Sequence, residues 1–590
     1  MRKFSALLLC LSTLAVAEEL PVLEWPHWQS RGDQLQLVGR QAPTSCYFRF
    51  QPDRLVVEYA GVQSRGAAPG APRMPGVSSV RWRQPDLSHV ICEVQLSHRL
   101  PPEALKLQGT TLTVDMAYDW QDRFRLAPGV SWLRRERASE GRYLLWNELL
   151  ADPSVPGVAL DVGLANERTD AREKTTSMVQ RLGALAGING GYFNNSGGPL
   201  GVVYKGGKLL APHVERRPPR TVLGVMKDRS IEFDQVVARK GQLASRSGKT
   251  WDQVELALGG GPRLLRRGEV ALTTNEEELG PSGNDITRVA GRSAVAVLKD
   301  GKVLLVTASG YHDTHREGLR LEELAGELLR RGGQEAMNLD GGASTTMAVG
   351  DVVVSRGPVA PKAEKPVATT LLVRHTQPSA LPYRMQLSGD SKGLLANGSS
   401  QLQLTVTLSD SSGRPVPDGT NVRLFSERLR LPQSQVSLKG GRARFQALAL
   451  KSLGEALVRA ECAGVRQDFE VQLSAGPASR LWAQLLPVQG MPGKFLATVQ
   501  AVDASGNGVG QLPLSLLDAG QTNTSLTGSN GQTHFEVFRA VGSPASTITL
   551  QAEGGLQVAL QVPAVEAAPA PTPSSTLSPS PTPAEPGEGE

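Results

Sequence analysis

The chain has 590 residues, 40% hydrophobic, 20% charged and 5% aromatic, too long for a single core and too apolar for general disorder. Its 63 Gly and 40 Pro exclude one long bundle or coiled coil, because both residues break helix interiors. The 63 basic and 57 acidic residues leave a net charge of +6, and no Lys/Arg cluster interleaved with aromatics marks a nucleic-acid surface.

The chain opens with Arg2 and Lys3 before an apolar run that ends in Ala15-Val16-Ala17, a small-x-small cleavage pattern. A signal peptide over 1–17 is expected, with an exported product that is secreted, periplasmic or envelope-bound. Leu9 before Cys10 argues against a lipoprotein site, and no later stretch is long and apolar enough to span a membrane. Export would leave Cys46, Cys92 and Cys462, with no Cys/His zinc spacing. Cys46 and Cys92 pair or remain two buried thiols; the sequence leaves both open.

From 18 to 120 the segments LQLVG, CYFRF, RLVVEYAG, SVRWRQ, HVICEVQL and TLTVDMAY are short and several alternate, which predicts a small β domain. This strand pattern resembles the AMIN modules of bacterial envelope proteins. The resemblance implies glycan binding, with peptidoglycan as a partner.

Between 125 and 375 helical spacing appears in SMVQRLGAL and LRLEELAGELLRR, the latter with Leu321, Leu324 and Leu328 on one face and Glu322, Glu323 and Glu327 outside it. Asp300-Gly301 joins two apolar strands as a hairpin signal. A mixed α+β domain is expected.

Two copies of a β-sandwich pattern follow, at 380–474 and 475–563. LTVTLSDSSGRPVPDGTNVRLF matches ATVQAVDASGNGVGQLPLSLL, aligning Asp410 with Asp503 and, further on, Phe445 with Phe535. These segments resemble bacterial immunoglobulin-like domains of the invasin type, which implies spacing or adhesion. The final segment, 564–590, is rich in Pro, Ser and Thr and cannot bury a core. The expected architecture is multidomain: a mixed α+β catalytic domain flanked by a small N-terminal β domain and two C-terminal β-sandwiches.

Two glycine islands in the 125–375 segment carry the candidate chemistry: Asn189-Gly190-Gly191-Tyr192-Phe193 and Asp340-Gly341-Gly342-Ala343-Ser344-Thr345-Thr346. Adjacent glycines let the backbone approach a ligand, and converging N–H groups can hold an anionic oxygen. The plain alternative is a pair of turns in which Asn189 and Asp340 bond their own backbone. With LALGGGPRLLRRGE and AGRSAVAVLKDGKVLLVTASG, these islands follow the order of the phosphodiester glycosidase family, which this segment resembles. One departure stands before the final strand, where many members carry Arg and this chain has Lys365-Pro366.

The resemblance implies hydrolysis of a sugar-1-phosphate diester in a phosphoglycan or polysaccharide, with no cofactor. Cleavage of the anomeric C–O bond builds oxocarbenium character, and phosphate leaves readily. Such a site needs a carboxylate and charge complementarity for phosphate. Asp340 is the candidate stabiliser or general base. Arg292 is its catalytic companion at the phosphate, with Arg220 and His213 as further phosphate contacts. Asn189, Gly190, Gly191, Tyr192 and Phe193 would wall the substrate, with Gly341, Gly342, Ser344, Thr345 and Thr346 facing it.

His312, Asp313 and His315 have metal-compatible types, but a loop lining the site without metal is the favoured version. Glu317 reads as a helix-start charge. Ser344 lacks the G-x-S-x-G setting of a serine nucleophile. The competing function is a non-catalytic envelope protein that binds glycan through the same pocket.

Overall fold

The computed structural model describes residues 20–566 except 213–216, 240, 247, 280–285, 313–315, 358–362, 378–383, 391 and 411. The expected signal peptide and almost all of the expected tail lie outside these residues. Among the described residues no helix is long and apolar enough to cross a membrane. The chain divides into two compact units: Pro21–Gly476 with Ser505–Asn507, and the remainder from Pro477 on.

The first unit opens with two four-stranded sheets. One orders His27–Arg31, Gln34–Val38, Thr111–Asp115 and Leu105–Gln108; the other orders Ser45–Arg49, Arg54–Ala60, His89–Leu96 and Val77–Asp86. Burial alternates along His89–Leu96, as period-two patterning requires, and Leu35, Leu55, Val57, Val90, Val94 and Leu112 share one core. Cys46 and Cys92 are both free thiols, and the register shows why: they pair with Val57 from opposite sides. Two strand spacings, about 9.5 Å, separate them, beyond the reach of a disulfide. Burial pushes the Cys46 thiol up to about 11.

Three antiparallel sheets build the central region. An eight-stranded sheet runs Tyr118–Ala127, Val130–Ser139, Arg142–Ala151, Val303–Ser309, Arg292–Leu298, Gly333–Asn338, Arg263–Arg266 and Glu269–Val270. A five-stranded sheet contains Ala159–Leu164, Thr369–Arg374, Ala186–Asn189 and Met347–Val349; a six-stranded sheet centres on Val254–Gly259 and Thr221–Met226. Only two α-helices are found among the described residues of this region, α1 (Thr175–Arg181) and α2 (Leu321–Arg330). The expected mixed α+β domain is therefore mostly β. Its apolar segments are too short and too β-branched to be helical, and hairpin turns such as the one at Asp300 and Gly301 join them antiparallel.

On α2, Leu321, Leu324 and Leu328 are buried as their spacing predicts, and Glu323 caps the helix by accepting the Arg320 N–H at 2.7 Å. Glu327 is not on the solvent side as expected. It is buried and held by Arg330 at 2.7 Å and Arg331 at 2.8 Å, so charge pairing compensates its desolvation. Glu317 likewise departs from its expected helix-start role, accepting instead the backbone N–H of His312 at 2.8 Å.

A β-sandwich completes the first unit: sheets of four and five strands between Arg384 and Ser474. Ionic and aromatic contacts join it to the preceding regions. Arg423 bonds Glu136 at 3.0 Å, Arg99 bonds Glu461 at 2.8 Å, and Phe50 meets Phe425 edge-on at 6.1 Å. The second unit is a sandwich of three and four strands. The internal repeat is visible residue by residue: Asp410 and Asp503 are both buried at corresponding strand ends, and Phe445 and Phe535 each fill a core.

Candidate functional site

The glycine islands lie where strands from all three central sheets end. Gly190 follows the strand Ala186–Asn189, Gly260 and Gly261 follow Val254–Gly259, and Asp340 follows Gly333–Asn338. Backbone hydrogen bonds lock them together: Asp340 N–H to Gly190 O at 3.1 Å, Gly261 N–H to Asn338 O at 2.8 Å, and Gly342 N–H to Gly291 O at 2.8 Å. The glycines permit this approach by lacking a Cβ. One added at Gly190 would strike Thr369, one at Gly191 the carbonyl of Gly259, and one at Gly341 would lie 2.7 Å from Gly291 O.

Asn189 holds two islands together instead of walling a substrate. Fully buried, it donates to Asp340 O at 2.7 Å and accepts from Ser293 Oγ at 2.7 Å and the Thr346 N–H at 3.0 Å. Asn338, which was not expected as a site residue, plays the matching part. Its amide donates to Tyr192 Oη at 2.9 Å and Gly261 O at 3.2 Å, while its Oδ1 is buried with no hydrogen-bond partner among the described residues.

Asp340 is the carboxylate of this junction. Burial raises its pKa above the ordinary carboxylate value, opposed by a hydrogen bond from Ser344, the charge of Lys365, the Gly341 N–H at 3.0 Å and the charge of Arg220. Arg220 stands over the Tyr192 ring, 4.8 Å from its centroid. Its Nη1 is buried and finds no hydrogen-bond partner among the described residues, and desolvation lowers its pKa. Such a guanidinium is ready for an anion. Tyr192 gives its hydroxyl proton to Gly261 O at 3.0 Å; burial, then Asp340, push its pKa up.

Phe193 carries the Lys365 ammonium 5.2 Å from its ring centre, and Lys365 donates to Ser344 Oγ at 3.0 Å. The consecutive aromatics therefore present their faces to cations. Arg292 is buried in a different setting. Its guanidinium donates to the carbonyls of Leu319 at 2.9 Å, Ile286 at 2.8 Å and Arg288, anchoring the segments on either side of its strand. Ser344 is fully buried against Asp340, and Gly342 takes a positive φ of 59° to begin the turn that places it. Thr345 and Thr346 are fully buried, each with an Oγ1 lacking a partner among the described residues.

His213, Asp313 and His315 lie outside the described residues, and among those described no group of three His, Cys, Asp or Glu could hold a metal ion. Glu277, in a run of three acids that gave no sign of its role, is buried beside Gly261. It accepts from Thr221 N at 3.1 Å, Thr221 Oγ1 at 2.6 Å and Arg263 N at 3.2 Å.

Residues 182–374 match the family described as phosphodiester glycosidase. Over 213 residues the chain is 25% identical to the Bos taurus N-acetylglucosamine-1-phosphodiester alpha-N-acetylglucosaminidase. That match covers 35% of this chain and 37% of the relative, so the chain spans little more than a third of the curated relative's length. The catalytic domain of the zebrafish enzyme of the same name, auto-inhibited by its pro-peptide, aligns with 20% identity and a TM-score of 0.34, covering 44% of this chain and 83% of that one. The Yersinia pseudotuberculosis adhesin InvE aligns with 19% identity and a TM-score of 0.21, covering 30% of this chain and 58% of that one.

Proposed function

We propose that the chain is a glycosidase that hydrolyses sugar-1-phosphodiesters of the N-acetylglucosamine-1-phosphodiester kind, in extracellular or envelope phosphoglycan. The observation that carries this reading is the half-buried Asp340 carboxylate near Arg220, whose Nη1 has no protein partner among the described residues. The substrate phosphate supplies the oxygen that Nη1 lacks, while Asp340 faces the anomeric carbon or its attacking water.

As the anomeric C–O bond breaks, its electron pair leaves with the phosphate oxygen and positive charge grows on carbon 1. Arg220 stabilises the first charge and Asp340 the second. Water supplies the hydroxyl of the free sugar, and its proton is taken up by Asp340 or by the phosphomonoester. Arg292 acts at one remove, fixing Gly291 and hence the turn at Gly342. The family match and the bovine relative support the reaction class. The export signal read at 1–17 and the flanking β modules support the extracellular setting.

The test is release of free sugar from a panel of sugar-1-phosphodiesters by the purified chain, beside Asp340→Asn and Arg220→Gln. Asp340→Asn abolishes turnover while folding is retained, and Arg220→Gln lowers kcat/KM roughly 100-fold or more. No release from any member of the panel overturns the proposal.

A further inference from the structure

We propose that Lys365 is a second phosphate-binding residue of this site, acting with Arg220 on the diester and holding Ser344 against Asp340. This rests on the glycosidase reading for the identity of the diester, but not for the anion site itself.

The geometry begins with an ammonium that only donates. Because Lys365 Nζ gives a proton to Ser344 Oγ at 3.0 Å, the Ser344 hydroxyl must turn its own proton elsewhere, and Asp340 is the acceptor. A directed chain therefore runs from Lys365 through Ser344 to Asp340. Ser344 is fully buried and cannot exchange this bond for water, whereas Lys365 is exposed and keeps two N–H groups for a ligand.

Lys365 is also not committed to a carboxylate among the described residues. Its neighbour Glu364 is buried and spent on Thr176, accepting from the backbone N–H at 3.1 Å and from Oγ1 at 2.6 Å. Instead, the ammonium stands over Phe193 while Arg220 stands over Tyr192. Two cations thus stand on consecutive rings, and while the carboxylates of Glu277 and Asp340 both act on Arg220, Lys365 has no ion pair among the described residues. That unpaired ammonium suits a phosphodiester monoanion, and its attraction grows as the leaving phosphate gains charge.

The same arrangement has a consequence for protonation. The groups facing Asp340 are Lys365, Arg220, Ser344, the Gly341 N–H and the buried Tyr192 phenol. Removing the Lys365 charge takes away one of the influences that oppose the burial of Asp340, so the carboxyl becomes harder to ionise.

The experiment uses the full chain with Lys365→Ala and Lys365→Arg, and titrates N-acetylglucosamine-1-phosphate, inorganic phosphate and free N-acetylglucosamine calorimetrically. Lys365→Ala weakens both phosphate-bearing probes roughly tenfold or more, leaves the free sugar unchanged and keeps the wild-type melting temperature. Lys365→Arg restores phosphate binding. In turnover, Lys365→Ala raises KM more than it lowers kcat and moves the acid limb of kcat/KM to higher pH. Unchanged phosphate affinity in Lys365→Ala, or no binding of either phosphate probe by the wild type, overturns the proposal. If the wild type hydrolyses no diester but Lys365→Ala still loses phosphate, the glycosidase reading fails and the anion site stands.

Discussion

Tyr311 donates its hydroxyl proton to Asp53 Oδ2 across 2.6 Å, a buried bond between residues 258 positions apart. Tyr311 follows the strand Val303–Ser309, which pairs with the Arg292–Leu298 strand, and Asp53 belongs to the N-terminal β region. Arg99, 3.9 Å from Asp53, extends the link to Glu461 in the first sandwich. The N-terminal region is thus part of the framework behind the candidate site. Tyr311→Phe keeps the ring packing against Tyr143 but leaves the Asp53 carboxylate short of a donor. Unfolding of the full chain in urea should show a loss of about 2 kcal/mol.

Glu136 supplies the acid-sensitive joint. It is buried, which alone would raise its pKa, but Arg423 and Arg134 hold it down to about 2, well below the usual carboxylate range. Its folded pKa lies below the unfolded one, so its contribution is full above pH 4.5 and is lost as pH falls toward 2. The size is about 3 kcal/mol. Glu136→Gln should destabilise the chain at pH 7 and shrink the stability difference between pH 7 and pH 3, measured by denaturant titration at each pH.

The sequence carried the candidate site better than it carried the fold around it. Glycine pairs flanked by Asn, Asp and hydroxyls marked the junction because a close backbone approach leaves that trace in composition, at Gly190-Gly191 as at Gly341-Gly342. What each polar residue does there was hidden, since Asn189 and Arg292 differ from substrate contacts only in what lies opposite them. Lys365 stood out as a departure in pattern, yet its bond to Ser344 spans 21 positions and has no local signature. The helical content was overread for a related reason. Leu321, Leu324 and Leu328 repeat at a helical period and do form α2, but other apolar segments pair as strands, some with partners distant in sequence, as Arg142–Ala151 does with Val303–Ser309. The same non-locality hid the burial of Glu327.

Asp340 should also be a stability liability. Its folded pKa is raised by burial, so the neutral form suits the fold and stability falls as pH rises through the unfolded and then the folded pKa. At pH 7 the ionised carboxylate is therefore a cost retained for chemistry. Asp340→Asn should stabilise the chain at pH 7 by on the order of 1 kcal/mol while removing activity. The gain should vanish at pH 3, where the wild-type group is already protonated, and calorimetric melts at both pH values would show the difference.

The glycine junction makes a sharper claim about packing. Gly191 has no positive φ, so its requirement is space: a Cβ there meets the backbone carbonyl of Gly259, which cannot rotate away. Gly301 is the reverse case, with a φ of 81° and nothing near its missing Cβ. Gly191→Ala should cost about 3 kcal/mol by forcing two sheet ends apart, and activity should fall with it because Tyr192 and Asn338 move with that backbone. Gly301→Ala should cost only about 1 kcal/mol, from backbone strain in a solvent-facing turn, and leave turnover unchanged. Equal losses in the two variants, read from urea unfolding and initial rates on the same preparations, would remove close backbone approach as the reason for the glycine islands.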